Sequence, residues 1–184
     1  ARRNHPALWK AIGHLCKEND AFRNKLRIRL IGKNDFSVME SIRQEGLEAY
    51  TEQIDYLPHN AIIAEQQAAS ILLLAINNYG NEEHGFYSPK ATLTGKLFEY
   101  LAAGRPILMI GPADSQAADI IQSCQAGAVA GFDDVQAIER ALTTWFRASL
   151  EQRLRVESKD VAQFSRRELT RKMAALFQQL LERN

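Results

Sequence analysis

Along the chain, short strand-like apolar runs alternate with longer helical stripes. In residues 6–18 (PALWKAIGHLCKE), Leu8, Ile12 and Leu15 share one helical face, and Pro6 suits a first turn. Leu26, Ile28 and Leu30 then alternate with Arg27 and Arg29 and stop at Ile31-Gly32, a strand pattern. Asp35 can cap a helix over about 36–45, which Gly46 ends. A short strand is expected over 53–57, stopped by Pro58, and a helix over 60–69. Residues 70–76 (SILLLAI) read as a strand buried on both faces of a parallel sheet. Helix 94–103 stops at Gly104, strand 106–110 follows, and then helix 114–124 and strand 128–130. Asp133 and Asp134 open a helix over 134–147. From about 160 one long amphipathic helix is predicted, with Phe164, Leu169, Met173, Leu176, Phe177 and Leu180 in its stripe.

This alternation predicts an α/β fold: a Rossmann-like, doubly wound parallel sheet with helices on both faces. Residues 1–184 are expected to form a single domain. Because the first element is a helix, the strand that a doubly wound sheet places before it, at the sheet centre, is expected to be missing. The connection 77–93 has no period, two glycines and a proline, and connections of that length usually carry function or lack order.

Composition narrows the classes without choosing among them. Hydrophobic residues make up 46% of the 184 and charged residues 24%, which excludes a disordered chain. The net charge of +1 masks an asymmetry: +7 over 1–33, −10 over 34–146 and +4 over 147–184. Basic ends around an acidic middle fit anion binding at one end, or merely solvated helix faces. Cys16 and Cys124 lack CxxC spacing, so neither a disulfide scaffold nor a thiolate zinc site is expected, and a cytoplasmic location suits the chain. The longest apolar run, Ile71 to Ile76, is far short of the roughly 20 residues that span a bilayer. The N-terminus, with no initiating Met and no hydrophobic signal region, reads as a chain entered part-way.

Several chemistries have no motif to carry them. No GxGxxG opens the first helix, Gly95-Lys96 lacks the rest of a phosphate-binding loop, and there is no GxSxG. The four histidines are scattered, and Asp133-Asp134 stand where helix caps belong, so no metal site is expected.

One stretch does carry chemistry: GNEEHGFYSPKATLTGKLFEYLAAGRPILMIGP, residues 80–112. A polar loop here delivers the chain to a helix N-terminus at the C-terminal edge of a parallel sheet. Open α/β sheets bind ligands there, and free amides with the helix dipole favour phosphate. Lys96 falls in the first turn, where a cation opposes the dipole. An anionic ligand accounts for it, and so does simple solvation. Glu99, three residues on, can accept hydrogen bonds from two sugar hydroxyls. It can equally form an i,i+3 pair with Lys96, worth about 0.2–0.5 kcal/mol.

The run KLFEYLAAGRPIL, with Gly104 ending the helix and Pro106 opening the strand, resembles the signature of GT-B glycosyltransferases of the group 1 family. The resemblance implies that Glu99 binds the ribose hydroxyls of a nucleotide-sugar donor, with Lys96 and Leu97 beside it. The family's loop carries an earlier Glu and a Gly-Phe-like pair eight residues before the helix Glu. Here that position is Ala91, whereas Glu83-His84-Gly85-Phe86 lies sixteen residues before Glu99. The resemblance implies a catalytic role at the sugar for Glu83, with donor contacts from Gly85 and Phe86. Arg3-Asn4 and Pro6 resemble the segment whose basic residue reaches the donor diphosphate, and Arg3 takes that part, with Arg2 as the alternative.

The resemblance covers nearly the whole chain, but only the C-terminal, donor-binding half of such an enzyme. It implies a glycosyltransferase moving a sugar from a nucleotide diphosphate to an acceptor, in polysaccharide or glycoconjugate synthesis. No metal cofactor is expected, because Lys96, Arg3 and helix amides take up the charge of the leaving diphosphate. The acceptor-binding N-terminal domain is expected to be absent, and these residues alone to be inactive. Any peripheral membrane association belongs to the full-length enzyme. Two other readings stay open: a nucleotide-sugar epimerase of GT-B fold, and a non-catalytic flavodoxin-like binding module.

Overall fold

The computed structural model describes residues 2–79 and 88–182. The chain opens with α1 (Pro6–Glu18) and a short α2 (Asp20–Lys25), followed by β1 (Ile28–Ile31), α3 (Phe36–Gln44), β2 (Thr51–Ile54) and α4 (His59–Ala68). After β3 (Leu72–Ala75) come α5 (Gly95–Ala103), β4 (Ile107–Ile110), α6 (Gln116–Ser123), β5 (Gly127–Ala130), α7 (Val135–Leu150) and α8 (Arg166–Leu181). All the strand pairs are parallel, in two groups: β1–β2, and β3–β4–β5 with β4 in the middle. The fold is the expected α/β Rossmann-like arrangement.

Two apolar layers cover opposite faces of the strands. On one, Leu8, Trp9 and Ile12 of α1, Ile42 of α3 and Ile138 and Leu142 of α7 pack with Ile28, Leu30, Leu73, Leu108 and Ile110. On the other, Leu97 and Leu101 of α5 and Ala117, Ala118 and Ile121 of α6 pack with Leu74, Ile76, Ile107 and Met109. The side-chain alternation of β3 and β4 therefore feeds both layers. All four β4 side chains are fully buried, at 2% exposure or less, each stabilising the fold by about 1.5–3 kcal/mol.

Local chemistry explains most boundaries. The Asp35 carboxylate accepts from the Ser37 amide and starts α3, and this bond holds its pKa below the ordinary value. Ser115 caps α6 and Asp134 caps α7 in the same way. Gly104 ends α5 in the left-handed region at φ 66°, where a side chain would be strained.

Three expectations are corrected. The second strand is Thr51–Ile54, two residues before the expected 53–57. A helix, α2, stands where none was expected, capped by the Asn19 side chain accepting from the Phe22 amide. The long tail helix is broken: Val161–Phe164 form a 3-10 turn, and α8 restarts behind a Ser165 cap. Phe164 thus leaves the predicted stripe and packs its ring 5.8 Å from that of Phe98. The remaining stripe, Leu169, Met173, Leu176, Phe177 and Leu180, is exposed. Among the described residues no helix is long and apolar enough to cross a membrane.

Candidate functional site

The chain beyond β3 meets the N-terminal segment at the C-terminal end of that strand. Continuing from Ala75, Ile76 donates its amide to the Ile110 carbonyl at 3.0 Å and holds the end of β3 against β4. Asn77 then turns outwards, and its side-chain oxygen accepts from Arg3 Nε at 2.8 Å. The Asn78 amide donates to the Arg2 carbonyl at 2.7 Å, and the Arg2 guanidinium lies 4.8 Å from the centre of the Tyr79 ring. Asn77 Nδ2 donates to the Tyr79 hydroxyl at 3.0 Å. Arg2 and Arg3 are in this way docked on 77–79, leaving guanidinium surface for an anion.

His5 ends this segment as the N-cap residue of α1. It is 2% exposed and stacks on Phe132 at 5.5 Å between ring centroids. Burial pushes its pKa below 6.5, against the smaller opposing effects of Ile76 and Asp133. Among the described residues its Nε2 has no hydrogen-bond partner. The unfolded chain therefore binds a proton at His5 more readily than the folded one. This contribution to stability is whole above pH 6.5 and is lost as pH falls through that value, by up to about 1.4 kcal/mol per pH unit. Melting temperature is expected to decline below pH 6.5, and less so in His5→Gln. An undiminished decline in that variant would remove His5 as the cause.

The N-terminus of α5 is bare. Thr94 occupies the N-cap position without a side-chain cap bond, and its hydroxyl is buried with no partner among the described residues. No acidic residue lies in the first turn. Lys96 is exposed there and has no ion-pair partner among the described residues. The turn before the helix is tethered: Lys90, in the 3-10 turn Pro89–Ala91, pairs with Asp114 beyond β4, which holds the Asp114 pKa down.

Glu99 lies one turn further along. The i,i+3 pair with Lys96 does not form; instead Glu99 Oε2 accepts from Gln66 Nε2 of α4 at 3.0 Å, half-buried. Leu97 turns the other way, fully buried in the layer beneath, and its amide donates to the Thr94 carbonyl at 3.1 Å. Glu83, Gly85 and Phe86 lie outside the described residues. The structure thus puts Arg3 beside Asn77 just past the end of β3, Lys96 exposed in the first turn of α5, Glu99 against Gln66 of α4, and Leu97 in the core. Sequence reading missed Gln66, Asn77, Tyr79 and the Lys90–Asp114 pair. Only Asn77-Asn78, polar directly after an apolar strand, gave a local signal. Among the described residues no three His, Cys, Asp or Glu side chains gather as a metal site.

No family model matches the chain, and no curated protein matches it. Solved structures do. WaaG, a glycosyltransferase involved in lipopolysaccharide biosynthesis, superposes with a TM-score of 0.60 at 18% identity, over 83% of this chain and 36% of its own. Sucrose-phosphate synthase from Thermosynechococcus elongatus gives 0.66 at 15% identity, over 100% and 43%. The trehalose-6-phosphate synthase OtsA gives 0.58 at 12%, over 83% and 35%. The chain therefore spans less than half the length of each of these proteins. At these identities the likeness is one of fold, and the fold is that of a GT-B C-terminal domain.

Proposed function

We propose that this chain is the donor-binding half of a glycosyltransferase and takes a nucleoside-diphosphate sugar at the C-terminal edge of its strands. The observation that carries the reading is the bare N-terminus of α5, where the Thr94 hydroxyl and Lys96 have no partner among the described residues. Free amides, a positive dipole end and a hydroxyl donor suit a diphosphate. Arg2 and Arg3, presented on 77–79, add cationic charge at the same edge. Glu99, with one oxygen held by Gln66, keeps acceptor capacity for ribose hydroxyls.

In transfer, the bond from the anomeric carbon to the diphosphate oxygen breaks while an acceptor hydroxyl oxygen bonds to that carbon and gives up its proton, which the departing diphosphate or water takes. Negative charge grows on the diphosphate, and Arg3, Lys96 and the α5 amides are the groups that stabilise it. The sugar-side part falls to Glu83, with Gly85 and Phe86. The acceptor is assigned to a second, N-terminal domain, so these residues bind donor without turning it over. Support for that division is the chain's coverage of only 35–43% of the solved glycosyltransferase and synthase chains.

Titration calorimetry with UDP and GDP, and with uridine and guanosine as controls, tests the reading. Saturable binding of at least one diphosphate is expected. Glu99→Gln should weaken diphosphate and nucleoside alike by about 10- to 100-fold, the value of hydrogen bonds to a charged group. Lys96→Ala should weaken the diphosphate about tenfold and the nucleoside hardly at all, with an effect that shrinks in salt. Equal small changes for both ligands in Lys96→Ala would refute the phosphate role, and no binding of any diphosphate would refute the whole reading.

A further inference from the structure

Arg2 and Arg3 are exposed, but the next residue, Asn4, turns its side chain into the protein. Asn4 Nδ2 donates to the Ser37 carbonyl and to the Ser41 hydroxyl of α3, both at 2.9 Å. Asn4 Oδ1 accepts from the indole Nε1 of Trp9 at 3.0 Å. The partners fix which way the amide faces. An indole N–H can only donate and a carbonyl can only accept, so the oxygen faces Trp9 and the nitrogen faces α3. Trp9 is 4% exposed, so its one polar group has to be satisfied inside the protein, and Asn4 does it.

These bonds fasten a stretch that lies in neither helix nor strand. Residues 2–5 precede α1 and are tied down at three points. The Arg2 carbonyl accepts from the Asn78 amide, Asn4 is bound to α3 and Trp9, and the buried His5 ring stacks on Phe132. Arg3 stands between the first tie and the second. Its own Nε donates to Asn77 Oδ1 at 2.8 Å, which sets the plane of the guanidinium. The backbone under Arg3 is thus held from β3 on one side and from α3 on the other.

We propose that Asn4 is a positioning residue for diphosphate: without touching the ligand, it locks residues 2–5 so that the Arg3 guanidinium, with Arg2 beside it, is already in place when the phosphates arrive. This role rests on the donor reading above and extends it to a residue whose side chain faces away from solvent. Both Nδ2 hydrogens are engaged within the protein, so the Asn4 amide has no donor left to offer a phosphate. Its effect has to pass through the arginines. Fixing a long, exposed side chain at the moment of binding costs affinity, and a backbone held beforehand lowers that cost. A nucleoside carries no phosphate for the arginines to meet. Asn4 should therefore govern the margin by which diphosphate binds better than nucleoside, and leave nucleoside affinity alone.

Titration calorimetry with UDP, GDP, uridine and guanosine on the parent, Asn4→Ala, Ser41→Ala and Ser41→Thr tests the role. Near-UV circular dichroism reports folding, and amide exchange at Asn78 reports the docking of residue 2. Asn4→Ala should weaken diphosphate about three- to tenfold, leave the nucleosides unchanged and speed exchange at Asn78. Ser41→Ala removes one of the two acceptors of Asn4 Nδ2 and should weaken diphosphate about twofold, while Ser41→Thr keeps the hydroxyl and should match the parent. If Asn4→Ala does not fold, the Ser41 pair decides, and equal diphosphate affinity in Ser41→Ala and Ser41→Thr would overturn the role. So would a folded Asn4→Ala that loses diphosphate and nucleoside in parallel, because Asn4 would then serve the fold alone. A parent that binds nucleosides as tightly as diphosphates overturns the donor reading, and the Asn4 role with it. A parent that prefers diphosphates, beside variants that keep the whole preference, overturns the Asn4 role and leaves the donor reading standing.

Discussion

Gly127→Ala is expected to destabilise the domain by about 3 kcal/mol or more, the upper range for overpacking. Gly127 opens β5 beside Ile107 of the central strand. A Cβ there would meet the Ile107 carbonyl oxygen and lie within 2.7 Å of its carbonyl carbon and nitrogen. The obstacle is backbone, not the end of a flexible side chain, so no rotamer change relieves it. Ile107 is itself fully buried between the two layers and pairs on both sides, with β3 and β5. Relief therefore means separating β5 from β4. In a domain of this size the loss corresponds to roughly 6–12 °C in melting temperature. Gly95→Ala is the control, because a Cβ on Gly95 meets nothing within 4 Å. It should stay within about 0.5 kcal/mol of the parent. Urea unfolding of both variants decides the matter, and a Gly127→Ala chain as stable as Gly95→Ala would show that the two strands separate easily.

What could be read from the sequence was what one stretch of chain decides by itself. α1, α3, α5 and α6 lie where their apolar periods put them, with Asp35, Gly46 and Gly104 punctuating as their chemistry requires. α2 escaped because six residues are too few to show a period, and its Asn19 cap stands directly at the end of α1. The tail helix was read too long because Phe164 fits the stripe by spacing, while its ring is claimed by Phe98, sixty-six residues away. The site divides in the same way. Lys96 and Glu99 were legible as polar residues on a helix that leaves the sheet edge. Their partners were not: Gln66 comes from α4, and Asp114, which tethers the turn before α5, comes from beyond β4. Contacts between distant segments leave no local period to read.

Leu97→Ala should cost about 2–5 kcal/mol, the range for emptying a fully buried leucine site. Leu97 is 0% exposed and shares its layer with Leu74, Ile76, Leu101, Ile107 and Met109. It is thus the residue that fastens the first turn of α5 to the end of β3 and to β4. On either side of it, Lys96 is exposed and Glu99 reaches Gln66, so the core anchor holds the polar pair in place. Leu97→Met conserves volume and should cost under about 1.5 kcal/mol. The two variants separate a core role from a donor contact at this position. If Leu97 serves the site by anchoring α5, Leu97→Met keeps the nucleotide affinity of the parent. Leu97→Ala then loses affinity only in step with its unfolded fraction, and regains it at lower temperature or in stabilising osmolyte. Reduced nucleotide affinity in a fully folded Leu97→Met would instead put the Leu97 side chain against the ligand.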